Sequence, residues 1–155
     1  MGASIPPQIT LSGNLNMEKT NANVSGKYGV GDSSFQAAGG EQGVLRLVED
    51  FYKTMESRSS AKKIREMHPE DLTASKDKLF RFLCGWLGGP KLYQAKYGSI
   101  SIPKAHQRFK IGTKERDDWL CCMKHALNKQ PYHADFKEHI IKQLFMPADS
   151  CRTKD

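Results

Sequence analysis

The chain has 155 residues, 38% of them apolar and 26% charged, with a formal net charge of +7. That length suits one domain around a single core. No apolar run approaches the roughly 18 residues that a membrane span needs, which excludes a transmembrane protein. Residues 1–20 mix Pro, Gly, Asn and Ser without a basic-then-apolar order, and Pro6 stands where a myristoylation signal carries Ser or Thr. The cytoplasm is therefore the expected compartment, with no membrane partner.

The positive balance, with a pI near 9.3, raises nucleic acid or an acidic surface as a partner. Lys and Arg are nevertheless spread from Arg46 to Lys154 among Asp and Glu, with runs no denser than Lys62-Lys63. A solvated basic surface is expected, and no nucleic-acid partner. Of the cysteines Cys84, Cys121, Cys122 and Cys151, two are adjacent. In a reducing compartment such thiols read as small buried apolar groups, not as a disulfide framework.

Residues 1–35 are rich in Gly, Ser, Asn and Pro and show no period, which predicts a flexible extension ahead of a domain over 36–155. After Gly39-Gly40, the spacing of Val44, Leu47, Val48, Phe51 and Met55 predicts an amphipathic helix over 41–56. A polar corner with a turn of helix follows over 57–67. Asp71 or Thr73 is a candidate N-cap for a second helix carrying Leu79, Phe80, Phe82, Leu83, Trp86 and Leu87, which Gly88-Gly89-Pro90 ends. Residues 91–111 read as irregular with one or two short helical turns. Thr113 is the expected cap of a third helix with Trp119, Leu120, Cys122, Met123, Ala126 and Leu127 on its inner face. Pro131 breaks it, and Phe136, Ile140, Ile141, Leu144 and Phe145 mark a fourth helix over 134–146. No period-two run appears, so the fold class is all-α.

Cys121 or Cys122 with His125 has helical metal-ligand spacing, but no CxxC or HExxH motif accompanies it. Gly29-Val-Gly31 lacks the strand that a phosphate loop follows. His106 stands apart, because it lies in a short segment between long helices. The chain around it is well supplied with flat side chains: Tyr52, Phe82, Trp86, Tyr93, Phe109 and Trp119. A histidine in that setting serves either as a hydrogen-bonded structural residue or as an axial ligand to haem iron.

The runs Phe51-Tyr52, His68-Pro-Glu-Asp-Leu-Thr, Phe82-Leu-Cys-Gly-Trp-Leu-Gly-Gly-Pro-Lys-Leu-Tyr93, His106-Gln-Arg-Phe-Lys-Ile111 and Asp118-Trp119-Leu-Cys-Cys-Met123 occur in this order. Together they resemble the truncated haemoglobins of group II, over Gly39 to Phe145. The resemblance implies a truncated globin in which two helices cross two others around one non-covalent haem b. It places His106 at the metal as proximal ligand and puts Tyr52, His68, Ser75 and Trp119 around the bound ligand. Lys78, Leu79, Phe82, Trp86, Tyr93, Phe109, Ile111 and Met123 join them as cofactor-binding residues, with Leu83 in the apolar lining.

Family members often carry Arg immediately before the proximal histidine, where this chain has Ala105. That leaves Lys78, Tyr93, Lys104 or Arg108 for the haem propionates. His68 stands at a corner position that is often Phe or Tyr, where it could bond the ligand, coordinate iron or simply pack. The implied function is reversible binding of dioxygen and other diatomic ligands by a monomer or weak homodimer, with a reductase as a further partner. An enzymatic reading at the same iron turns over nitric oxide, peroxide or peroxynitrite. A basic helical module for nucleic acid or protein is the reading from a different class.

Overall fold

The structure is a computed structural model that describes residues 27–154. Its elements are α1 (Ser33–Ala37), α2 (Gly40–Ser57), a 3-10 turn (Ser59–Ala61), α3 (Lys62–Glu66), α4 (Thr73–Trp86), α5 (Leu92–Tyr97), α6 (Ile102–His106), α7 (Thr113–Asn128) and α8 (Ala134–Ser150). Among the described residues there is no β-strand. Helix α2 packs on α4 and on α7, and α7 packs on α8, so two long helices cross two others. This is the expected all-α truncated globin arrangement.

The periodic apolar face of α2 is the keel. Val44, Leu47, Val48, Phe51 and Met55 are each no more than 3% exposed. Burial of side chains of this kind contributes about 1.5–3 kcal/mol apiece before conformational entropy is subtracted. Opposite them lie Cys122, Met123, Ala126 and Leu127 of α7 and Phe136, Ile140 and Leu144 of α8, all buried. Close approach also needs a gap in the side-chain layer. A Cβ on Gly43 would collide with the Ala38 carbonyl, the same oxygen that accepts the Tyr132 hydroxyl at 2.9 Å.

Several boundaries differ from expectation for identifiable reasons. Helix α7 begins one residue earlier than a Thr113 cap allows. The Gly112 N–H donates to Glu115 Oε1 at 2.7 Å, so a carboxylate closes the helix start. Helix α8 continues beyond Met146, through Pro147, to Ser150. The proline lacks an N–H for the ladder, but Asp149 pairs with Arg116 at 2.9 Å and with Arg152 at 2.7 Å, which holds the last turn in place. Leu72, not Asp71 or Thr73, stands at the cap of α4, though Asp71 Oδ1 just before it accepts both the N–H and the hydroxyl of Thr73.

The expected flexible extension over 1–35 is corrected at its distal end, while residues 1–26 lie outside the described residues. Tyr28 and Phe35 are 7% and 8% exposed and belong to the core. The Tyr28 ring lies 5.0 Å from Phe136, and its hydroxyl donates to Asp135 Oδ1 at 2.9 Å. The Phe35 N–H donates to the Leu87 carbonyl at 3.0 Å. This contact explains the Gly88-Gly89 pair beyond its role in ending α4. Gly88 has φ of +93°, and a Cβ there would strike the Gly31 carbonyl; a Cβ on Gly89 would lie 2.6 Å from the Phe35 ring. A glycine-rich composition thus conceals two aromatic anchors that complete the domain.

Candidate haem-binding site

Tyr52 follows Phe51 on α2, and the two rings meet edge to face at 5.0 Å. On one side Phe51 tilts against Trp119 of α7 at 5.0 Å; on the other, Tyr52 meets the edge of His68 at 5.6 Å. A continuous aromatic row therefore joins α7, α2 and the corner after α3. The Tyr52 hydroxyl donates to the Ser75 carbonyl over 3.4 Å, beyond the ordinary O–H···O range, so this bond is weak. Burial holds the Tyr52 phenol well above its ordinary pKa, which keeps it a proton donor. The Trp119 indole N–H meets no acceptor among the described residues, and it can only donate.

The two imidazoles are fixed by one device used twice. His106 Nδ1 lies 2.7 Å from the Ile102 carbonyl, and His68 Nδ1 lies 2.8 Å from the Ile64 carbonyl. A carbonyl can only accept, so each Nδ1 carries the hydrogen, which leaves Nε2 as the ring nitrogen able to offer a lone pair to a metal. Burial lowers the His68 pKa and favours its neutral form; the bond to Ile64 opposes this, while the charges of Arg65 and His106 reinforce it. Ring-nitrogen donation to a backbone carbonyl is the usual support of a metal-ligating histidine.

Helix α6 carries His106 and buries none of its residues against the protein. Ile102 and Phe109 beside it, with Leu79 and Phe82 on α4, are half-buried. Ile111 is buried at 8% exposure. Half-buried apolar side chains, two imidazoles that leave Nε2 for a metal, and an indole donor with no acceptor among the described residues form a donor set suited to a large planar apolar group carrying a metal. The residues present therefore fit haem.

Other expected site residues fall elsewhere or carry different contacts. Met123 is fully enclosed by protein and belongs to the core, as does Leu83 at 2% exposure. Trp86 borders a cleft of about 420 Å³ with Tyr28, Ser34 and His139. The α4 helix turns Trp86 toward α8 and the segment before α1, which sequence spacing without a partner helix cannot reveal. Tyr93 packs on Tyr97 at 5.0 Å, and Lys78 sits 5.5 Å above the same Tyr97 ring. Lys104 and Arg108 flank His106 and are exposed, with the Arg108 guanidinium 4.6 Å from the Phe109 ring centre.

Two supporting groups were not anticipated. Asp77 accepts from Arg81 at 3.0 Å, Lys96 at 2.8 Å and Tyr97 at 2.6 Å, pinning α5 to α4. These donors hold its carboxyl far below the ordinary range, Lys96 contributing most. The i,i+4 spacing of Asp77 and Arg81 is a legible signal for part of this hub. Thr153 bonds the loop after His106, and no sequence pattern marks it.

Comparison with known proteins agrees with this geometry. A family model for the Bacterial-like globin matches residues 33–151. The Group 2 truncated hemoglobin YjbI of Bacillus subtilis (strain 168) is 33% identical over 109 residues, which is 70% of this chain and 80% of that protein. The cold-adapted truncated hemoglobin from the Antarctic marine bacterium Pseudoalteromonas haloplanktis TAC125 matches with a TM-score of 0.76 at 32% identity, over 79% of this chain and 98% of that one. For the group II 2-on-2 hemoglobin from the plant pathogen Agrobacterium tumefaciens the TM-score is 0.75 at 32% identity, over 79% and 95%. The chain belongs to the bacterial-like globin family. Within that family it is of the group II truncated type, a haem-binding globin that binds dioxygen.

Proposed function

We propose that the chain holds one haem b without a covalent link, anchored through His106 Nε2, and that Tyr52 and Trp119 stabilise dioxygen and other diatomic ligands on the opposite face. The observation that carries this reading is the 2.7 Å bond from His106 Nδ1–H to the Ile102 carbonyl, which commits the ring to presenting Nε2. Bound haem supplies an iron that takes diatomic ligands. The protein's own contribution is positional and electrostatic. Tyr52 and Trp119 offer hydroxyl and indole donors toward negative charge on a bound ligand, and such charge-assisted bonds are the strong ones. Leu79, Phe82, Phe109 and Ile111 supply an apolar wall that restricts water. Lys104 and Arg108, exposed beside His106, are free to meet the propionates in place of the arginine that Ala105 replaces.

A non-covalent link is supported by the state of two of the four thiols. Cys84 and Cys122 are completely buried, and burial pushes each up to about 11, which leaves them poor nucleophiles. Titration of haem into the purified protein, followed by absorption, tests the reading. One equivalent is expected to saturate a Soret band that shifts on reduction and exposure to carbon monoxide. No Soret band, or one that ignores carbon monoxide, overturns it.

A further inference from the structure

The last residues of the chain grip the backbone that leads away from His106. The Thr153 hydroxyl donates to the Phe109 carbonyl at 2.6 Å and accepts the Ile111 N–H at 2.9 Å. The Thr153 N–H and the Lys154 N–H both donate to the Ile111 carbonyl, at 2.8 and 3.2 Å. The Phe109 N–H in turn donates to the His106 carbonyl at 3.1 Å. An unbroken hydrogen-bonded path thus runs from Thr153 through Phe109 to His106.

This clasp joins parts of the chain separated by more than forty residues, Ile111 and Thr153 being 42 apart. Its far end is itself anchored. Asp149, in the last turn of α8, pairs with Arg152 at 2.7 Å and with Arg116 of α7 at 2.9 Å. The α6 segment needs such an external hold, because none of its five residues is buried and its backbone offers little packing of its own.

We propose that Thr153 is a positioning residue for His106, its hydroxyl clasping Phe109 and Ile111 so that the proximal segment keeps the imidazole in one orientation. The proposal rests on the reading of His106 as the iron ligand. Thr153 is exposed, so substitutions there leave the core intact. Thr153→Val keeps the shape and removes both hydroxyl bonds, whereas Thr153→Ser restores them.

Three readouts on the full chain test it: amide exchange of Ile111 in the apo-protein, haem transfer to an excess of a haem-scavenging apoprotein, and the iron–histidine stretching band of the reduced form by resonance Raman. In Thr153→Val, Ile111 exchange and haem transfer are each expected to accelerate about tenfold or more, the scale of two lost hydrogen bonds. The stretching band is expected to shift or broaden, and Thr153→Ser is expected to match wild type in all three. An unchanged band with haem transfer within twofold of wild type overturns the proposal, whatever Ile111 exchange does. His106→Gly run alongside separates the two readings. If it leaves haem transfer unchanged, the ligand assignment fails; if it accelerates transfer while Thr153→Val does not, only the positioning role fails.

Discussion

His68 and His106 each donate Nδ1–H to the carbonyl four residues back, Ile64 and Ile102, so each ring leaves Nε2 as the nitrogen able to offer a lone pair. An imidazole so prepared on the distal side can compete for the sixth position of ferric iron. His68→Ala is expected to shift the ferric spectrum toward a high-spin form with water as the sixth ligand. A spectrum identical to wild type would assign His68 to packing against Tyr52 alone. Absorption and electron paramagnetic resonance at fixed pH distinguish the two.

The two proposed distal donors are unequal. The Tyr52 hydroxyl has a carbonyl within 3.4 Å and can rotate between partners, whereas the Trp119 indole N–H has no competing acceptor among the described residues. A charge-assisted bond is worth about 1.5–3 kcal/mol, so its clean removal speeds ligand release about 10- to 150-fold. Trp119→Phe is expected to raise the oxygen off-rate by more than Tyr52→Phe does, with a smaller response for carbon monoxide. Stopped-flow release rates decide this; an oxygen off-rate within about twofold of wild type in Trp119→Phe would make the ring core filling only.

Phe35 anchors the segment ahead of α2 against Gly89. Phe35→Ala is expected to cost about 3–5 kcal/mol, as for other buried Phe truncations. Gly89→Ala is expected to destabilise as well, since its methyl would enter the Phe35 ring. Combining the two should cost less than the sum of the single changes, because the alanine at 35 removes the clash. Urea melts of the four proteins measure this; strict additivity would show that Phe35 does not sit on Gly89.

Glu115 is 5% exposed and accepts the Gly112 N–H at 2.7 Å, with Lys63 at 3.4 Å. The Gly112 bond is the largest influence holding its carboxyl below the ordinary value; burial opposes it, and Lys63 adds to it. A carboxylate whose pKa is depressed by folding stabilises fully above its unfolded value, about 4.3 for Glu, and loses that contribution as pH falls through the folded one. Glu115→Gln is therefore expected to melt below wild type near neutrality, with the gap closing in acid below about pH 4. A gap that stays constant from neutral to acid pH would show that the charge contributes nothing.

Helix order and the core faces were legible because Val44 to Met55, Trp119 to Leu127 and Phe136 to Leu144 repeat at helical spacing, and burial on one face enforces that repeat. Tyr52, His68, His106 and Trp119 were singled out through motif resemblance, and the structure joins Tyr52, His68 and Trp119 in one aromatic row through Phe51. The tail boundary was not, since Tyr28 and Phe35 are lone aromatics without a period and their partners, Phe136 and Gly89, are distant in sequence. Trp86 shares the α4 pattern with Phe82, and only the position of α8 shows that it faces elsewhere. The Thr153 clasp depends on a hydroxyl meeting backbone groups, which leaves no trace in residue type.

The most direct test of the central assignment is chemical rescue at His106. His106→Gly is expected to lose most of its haem affinity and the spectrum of a histidine-ligated iron, and added imidazole, occupying the vacated position, is expected to restore the wild-type Soret band and carbon monoxide complex. A His106→Gly protein that keeps the wild-type spectrum and haem affinity without imidazole would contradict the assignment.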